Sequence, residues 1–249
     1  IEDQTLFGWL LAADGYITVL PDYLGLGDDD YNYQDKFHPF MHARSEASAT
    51  IDMLYAVKNF LELPPQQRVF LSGYSQGGHA VLATQRELER SHSEEFNLAI
   101  SVPASGAYCL SSIQRKFLIN TPDYSNPAHM PYLIFGYQQV YGSLFYPDLT
   151  RVFVNNPLDI YNLYDNDLTI GEINAALGNM HPGLKSNWEI MFTESFQNDF
   201  HTNWCYWRCP PIINALRDND LVNWQPQSKT RMLFCFGDEV VAPENTLSA

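Results

Sequence analysis

Basic residues are scarce in this 249-residue chain. Lysine and arginine total 14 against 29 aspartates and glutamates, a formal net charge of -15. Such a surface repels phosphate groups, so nucleic acid and anionic membranes are excluded as partners on charge. Long apolar runs are absent: no stretch approaches the roughly 18 consecutive apolar residues of a membrane-spanning helix. Cysteine is sparse, with only Cys109, Cys205, Cys209 and Cys235. None forms a C-x-x-C pair, so no zinc site is expected. Whether any of them pair stays open, because isolated cysteines are often simply small buried hydrophobes. Repeats and low-complexity tracts are lacking too. The chain opens on Ile1 with no methionine and no signal-peptide pattern. Glu2 to Ala13 is expected to be a helix already under way, with Leu6, Leu10 and Ala13 on one face and Gly15 ending it. Further chain upstream is therefore expected.

What is present is Gly73-Tyr74-Ser75-Gln76-Gly77, a G-x-S-x-G pentapeptide. This pattern marks a nucleophile elbow, a sharp strand-to-helix turn that holds a serine hydroxyl clear of the sheet. Glycines on either side let strand and helix approach without a Cβ clash. Alone the pattern is weak, arising by chance in on the order of one such chain in ten. Its context is specific. Arg68 to Ser72 is a short apolar run after Pro64-Pro65 and reads as a buried strand. Gly78 to Arg90 holds good helix formers and no proline.

The same alternation extends along the chain. Tyr16 to Leu20 is β-branched and aromatic, as in a strand, and leads into a turn-rich loop, Pro21 to Gly27. Asp28, Asp29 and Asp30 read as solvated surface. Ser45 to Leu61 is expected to be helical, with Ile51, Leu54, Val57 and Leu61 as its buried stripe. Leu98 to Val102 is a further strand. This order indicates a parallel sheet with helices on both faces and a site beyond the carboxyl ends of its strands. From about Leu110 to Lys229 the alternation fails; aromatics, asparagines and prolines dominate, with helical pieces near Tyr132–Tyr146 and Leu168–Leu177. A stretch that long should fold over something, here a cap. Thr230 to Phe236 then restores the sheet, with Gly237-Asp238-Glu239 at its carboxyl end.

Together these segments resemble the α/β-hydrolase superfamily and, within it, the secretory-lipase-like serine esterases. Gly15 to Gly25 looks like the strand and loop that precede the elbow, Gly73 to Ala80 like the elbow itself, and Phe236 to Asn245 like the late acid loop. The match covers about residues 1–109 and 229–249. It implies an α/β fold with a mainly parallel sheet, truncated at both ends: a hydrolase core at 1–109 and 229–249, and a largely helical cap (lid) insertion at 110–228. It implies Ser75 as nucleophile, the Gln76 backbone N–H as an oxyanion donor, and Asp238 as triad acid, with Glu239 the competing carboxylate. Tyr74, Asp22 and Tyr23 would contact substrate. No cofactor or metal is implied. The expected partner is a small-molecule ester with an apolar acyl or alcohol group. Oligomeric state and compartment stay open, a secreted or periplasmic one included.

The superfamily order is Ser, then acid, then His, yet no histidine follows Asp238. The chain thus looks like an internal fragment and, by itself, a poor catalyst; losing one triad member costs about four or more orders of magnitude. Among its own histidines, His79 reads as a packed helix residue, His38 and His42 lie near the pocket mouth, and His201 is the foremost substitute base. An esterase or lipase-like hydrolase leads. A serine peptidase of the same fold and a non-catalytic binding protein are the alternatives, and fluorophosphonate labelling separates the last from the enzymes.

Overall fold

The computed structural model describes residues 3–27, 37–164, 168–205 and 207–249. The acidic run Asp28–Asp30 lies outside them. Helix α1 (Asp3–Ala13) ends where Gly15 takes a φ of 93°. Its expected apolar stripe is not buried: Leu6 and Leu10 are 50% and 61% exposed. The helix instead presses Gly8, its buried residue, against Thr18 and Leu20. Tyr16 to Leu20 is no strand. β-propensity makes a strand only beside a ladder partner, and no described residue supplies one.

Helix α2 (Ala43–Phe60) begins two residues before the expected Ser45, capped by the His42 ring. Its buried face starts a turn earlier too. Ala43, Glu46, Ala47 and Ile51 are buried, whereas Leu54 and Val57 are half-buried and Leu61 is exposed. Strand β1 (Gln67–Tyr74), helix α3 (Gln76–Ser91) and strand β2 (Phe96–Ala104) follow. β1 pairs in parallel with β2, from Gln67 opposite Phe96 to Tyr74 opposite Ala104, across one irregularity between Val69 and Phe70.

The inward residues of this layer, Val69 and Leu71, pack with Ile51, Val81, Leu88 and Phe96. Among the described residues α2 and α3 cover that face of the sheet. On the outer face Phe70 is half exposed, meeting Tyr16 edge-on at 5.8 Å. Strand β1 is therefore buried on alternate residues only, the pattern of a sheet with one face open.

Between β2 and the third strand the described elements are helical: a π-helical turn (Leu110–Gln114), α4 (Arg115–Ile119), α5 (His129–Tyr141), α6 (Pro157–Tyr161), α7 (Ile170–Met180), α8 (Glu194–His201) and α9 (Pro211–Asp218). Their only described β contact is an isolated antiparallel bridge, Phe153–Phe192. They enclose an aromatic-rich core that includes Trp188, Phe153, Phe192, Phe196 and Phe200. The excursion leaves and returns at one place: Leu221 N–H donates to Tyr108 O (2.7 Å), and Ser111 N–H to Asp220 Oδ1 (2.9 Å). Cys205 and Cys209 are disulfide-bonded; Cys109 is a buried and Cys235 an exposed free thiol.

Strand β3 (Lys229–Thr230) adds to β2 in parallel, giving the order β1-β2-β3. It is shorter than the apolar run suggested. Backbone hydrogen bonds carry the pairing on to Leu233, whose N–H donates to Pro103 O (3.1 Å) and whose O accepts from Ser105 N–H (2.8 Å); Leu233 and Phe236 are 50% and 84% exposed. No described strand lies beyond β3.

Candidate active site

Ser75 stands between β1 and α3 with φ 57° and ψ -118°. For a residue with a side chain this is costly backbone, about 1–3 kcal/mol, and it persists only where neighbours enforce it. Two restraints are visible. Ser75 N–H donates to Ala104 O of β2 (2.9 Å), and Ser75 O accepts from the N–H groups of Gly78 and His79 (2.9 and 3.2 Å). The glycines divide their labour differently from the expected pattern. A Cβ on Gly73 would lie 2.3 Å from Gly77 O, and one on Gly78 would lie 2.5 Å from Ala104 O. A Cβ on Gly77 would meet nothing within 4 Å. Strand and helix thus touch through Gly73 and Gly78, while Gly77 is left facing open space.

That space is a cavity of about 400 Å³ lined by Tyr74, Ser75, Gln76 and Gly77 from the elbow, Tyr23 from the preceding loop, and the helical excursion. Its size is in the range of small-molecule sites. Much of its wall is apolar, including Met41, Leu110, Leu118, Met130, Leu133 and Leu216. No described group accepts from the Gln76 N–H, which stands free at the start of α3. Tyr23 and Tyr74 line the cavity; Asp22, beside Tyr23, is exposed and does not. Burial first, then the Glu46 carboxylate, push the Tyr23 phenol above its ordinary range.

Asp238 is half-buried in the turn after β3, and Glu239 is exposed. One carboxylate oxygen, Oδ1, accepts from the N–H groups of Val240 and Val241, each at 2.9 Å. Short side chains that bond the backbone two residues on build such turns. Both valines line the cavity, and Asp238 lies close enough to the lining Tyr124 to raise its phenol, after burial itself. No described group bonds Oδ2.

Of the seven histidines only His129 lines the cavity. Its Nδ1 meets Tyr124 Oη at 3.1 Å, and its ring stacks on Phe40 at 5.9 Å. Burial pushes its pKa down to about 4, so the ring is neutral at pH 7. His201, the expected substitute base, is instead exposed at the end of α8, with Nε2 2.5 Å from Glu189 Oε1. The half-buried Glu189 carboxylate is its partner, and His201 does not line the cavity. His42 caps α2, and His38 is buried behind the cavity wall, its Nδ1 on Leu24 O at 2.9 Å.

His79 is fully buried. Nδ1 lies 2.6 Å from Glu46 Oε2 and Nε2 lies 3.1 Å from Asn219 O. Sequence reasoning placed His79 in the packing but missed Glu46. Its one signal was a carboxylate on the buried stripe of α2, where a charge demands a partner.

No family model and no curated protein sequence matches the chain. Solved structures do. The rice cell wall degrading esterase LipA of Xanthomonas oryzae is 33% identical, with TM-score 0.72 over 91% of this chain and 58% of its own. A Legionella pneumophila protein described as a hydrolase superposes with TM-score 0.78 at 22% identity, over 98% of this chain and 62% of its own. Candida antarctica lipase A gives 0.57 at 18% identity, over 84% and 46%. The chain spans 46–62% of the length of these structures.

Proposed function

On the premise that this chain is an α/β-hydrolase of the esterase and lipase group, we propose that it hydrolyses carboxylic esters through an acyl-enzyme on Ser75. The observation that carries this is the strained Ser75 at the mouth of α3, lining a largely apolar cavity beside an unengaged backbone N–H. Ser75 Oγ attacks the ester carbonyl carbon, and its proton passes to a base. The carbonyl oxygen gains the charge, and the Gln76 N–H, aided by the dipole of α3, donates to it. Collapse expels the alcohol, which takes the proton. Water then attacks the acyl-enzyme by the same steps and frees the acid and Ser75.

Asp238 is the acid in this reading. Its Oδ1 is held by two backbone N–H groups, leaving Oδ2 for a histidine Nδ1–H, whose tautomer and charge it would fix. The superfamily order puts that histidine after Asp238, and none of the seven follows it. Within these residues the imidazole lining the cavity is His129. Residues 110–228 act as a cap whose apolar side chains hold the acyl or alcohol part of the ester.

One observation favours a non-catalytic binding protein instead: no described side chain hydrogen-bonds Ser75 Oγ. The test separates the two. The protein is treated with a fluorophosphonate, and the adduct is located by peptide mass spectrometry in wild type, Ser75→Ala and His129→Gln. Labelling at Ser75, absent from Ser75→Ala and accompanied by p-nitrophenyl ester hydrolysis, supports the enzyme. An unlabelled Ser75 supports the binding protein. Loss of labelling in a folded His129→Gln would make His129 the base.

A further inference from the structure

Helix α3 starts badly by ordinary standards. Its N-cap is Ser75, whose side chain makes no capping bond, and no acidic residue occupies its first turn. Two of its first three residues, Gly77 and Gly78, are glycines, each costing about 1 kcal/mol of helix propensity relative to alanine. An uncapped, glycine-rich first turn should fray. Ser75 cannot both cap the helix and attack substrate with the same oxygen. The residue whose N–H is to meet an oxyanion therefore sits on the least supported turn of the helix.

Support comes from across the interface with α2. Glu46, 1% exposed, accepts from Gln76 Nε2 at Oε1 (3.0 Å) and meets His79 Nδ1 at Oε2 (2.6 Å). Gln76 Nε2 also lies 2.6 Å from His38 Nε2. His38 Nδ1 donates to Leu24 O, so Nε2 is its acceptor, and both Gln76 amide hydrogens are used. His79 Nε2 donates to Asn219 O. Asn219 in turn accepts from Ala43 N–H at Oδ1 (2.8 Å), returning the chain of bonds to the start of α2.

We propose that Glu46 is the positioning residue of the elbow: it grips Gln76 and His79, one and four residues past Ser75, and so sets where the Gln76 backbone N–H points. The inference rests on the serine-hydrolase reading above. The clamp replaces the cap that the nucleophile cannot provide. Glu46 itself does not line the cavity, so its loss is read in the reaction step and not in the affinity for substrate.

The test is the kinetics of Ser75 phosphonylation by an alkyl fluorophosphonate. In that step the Ser75 O–P bond forms, the P–F bond breaks, and fluoride and the serine proton leave; the phosphoryl oxygen takes the oxyanion's place. In folded Glu46→Leu the limiting rate should fall about 100-fold, the effect of an ångström-scale misplacement, while the half-saturating concentration stays within about twofold. Glu46→Gln keeps a hydrogen-bonding group for both Gln76 and His79, so it should restore most of the rate. Gln76→Leu keeps the backbone N–H and loses the grip, so its limiting rate should fall; because Gln76 lines the cavity, this variant is read by its rate alone. Should Glu46→Leu not fold, Gln76→Leu and Glu46→Gln decide. A wild-type rate in Gln76→Leu, or in folded Glu46→Leu, overturns the inference while leaving Ser75 the nucleophile. A Glu46→Gln no faster than Glu46→Leu overturns it as well. If wild type is not labelled at Ser75, the serine reading fails and this inference fails with it.

Discussion

Replacing Gly73 with alanine should damage this protein far more than replacing Gly77, although both glycines belong to one pentapeptide. A Cβ at Gly73 would stand 2.3 Å from Gly77 O and 2.5 Å from Gly77 C, whereas ordinary contact begins near 3.4 Å. β1 and α3 must then part by about an ångström. Both sides of the clash are backbone, so no side chain can rotate away. Overpacking of this kind costs about 1–3 kcal/mol, and the rigid partner places Gly73→Ala near 3. For a chain of this size that lowers Tm by about 6–12 °C. The same shift moves Ser75 relative to the Gln76 N–H, which lowers the phosphonylation rate about 100-fold in the folded fraction. Gly77→Ala puts its methyl where no protein atom lies within 4 Å. Alanine is the better helix former by about 1 kcal/mol, so Tm should hold or rise slightly. Since Gly77 lines the cavity, the penalty should appear in the concentration dependence of labelling instead. Differential scanning calorimetry of both variants, with labelling kinetics on each, checks the pair. A Gly73→Ala that melts within about 2 °C of wild type, or a Gly77→Ala that falls equally far, would refute the packing argument.

Relief of the Ser75 backbone gives a second expectation. Ser75→Gly should gain about 1 kcal/mol over Ser75→Ala in urea unfolding, because glycine tolerates φ 57° and part of that gain is returned as unfolded-chain entropy; an alanine variant as stable as the glycine one would contradict it. His129 makes stability depend on acid. Its folded pKa of about 4 lies below the ordinary 6.5, so between those values the unfolded chain binds a proton that the folded chain refuses. Stability therefore falls as pH drops from 6.5 to 4, by about 3 kcal/mol for this group. Burial shifts His38 and His42 in the same direction. His129→Gln should flatten that part of the pH–stability curve, and an unchanged slope would refute the assignment. Asn219→Ala leaves Ala43 N–H and Ala215 O without their buried partner and should cost about 2–3 kcal/mol in thermal unfolding; a loss under about 1 kcal/mol would show that water replaces it.

Local chemistry was legible in the chain, and distant pairing was not. β1, the elbow and α3 follow from about twenty contiguous residues whose periodicity and glycines act within one turn of each other. Tyr16 to Leu20 has the composition of a strand, but a strand is a relation to a neighbour, and composition cannot supply the neighbour. The helix carrying Leu6 and Leu10 is there, but periodicity marks an apolar face and does not say what covers it. The partner of His79 sits 33 residues away on another helix, and the Asn219 carbonyl 140 residues away, separations that no motif spans. His129 drew less notice than His201 because proximity to Ser75 is set by helix packing across the excursion.

The bonds at Tyr108–Leu221 and Ser111–Asp220 have a topological consequence. They pin the two ends of a stretch of more than a hundred residues to adjacent points, so the sheet senses where that stretch begins and ends and not how long it is. Doubling a flexible loop adds only about 0.6 kcal/mol of closure entropy. Chain closure therefore sets little limit on the length of this stretch; what limits it is the packing of its own aromatic core and of the cavity wall it supplies.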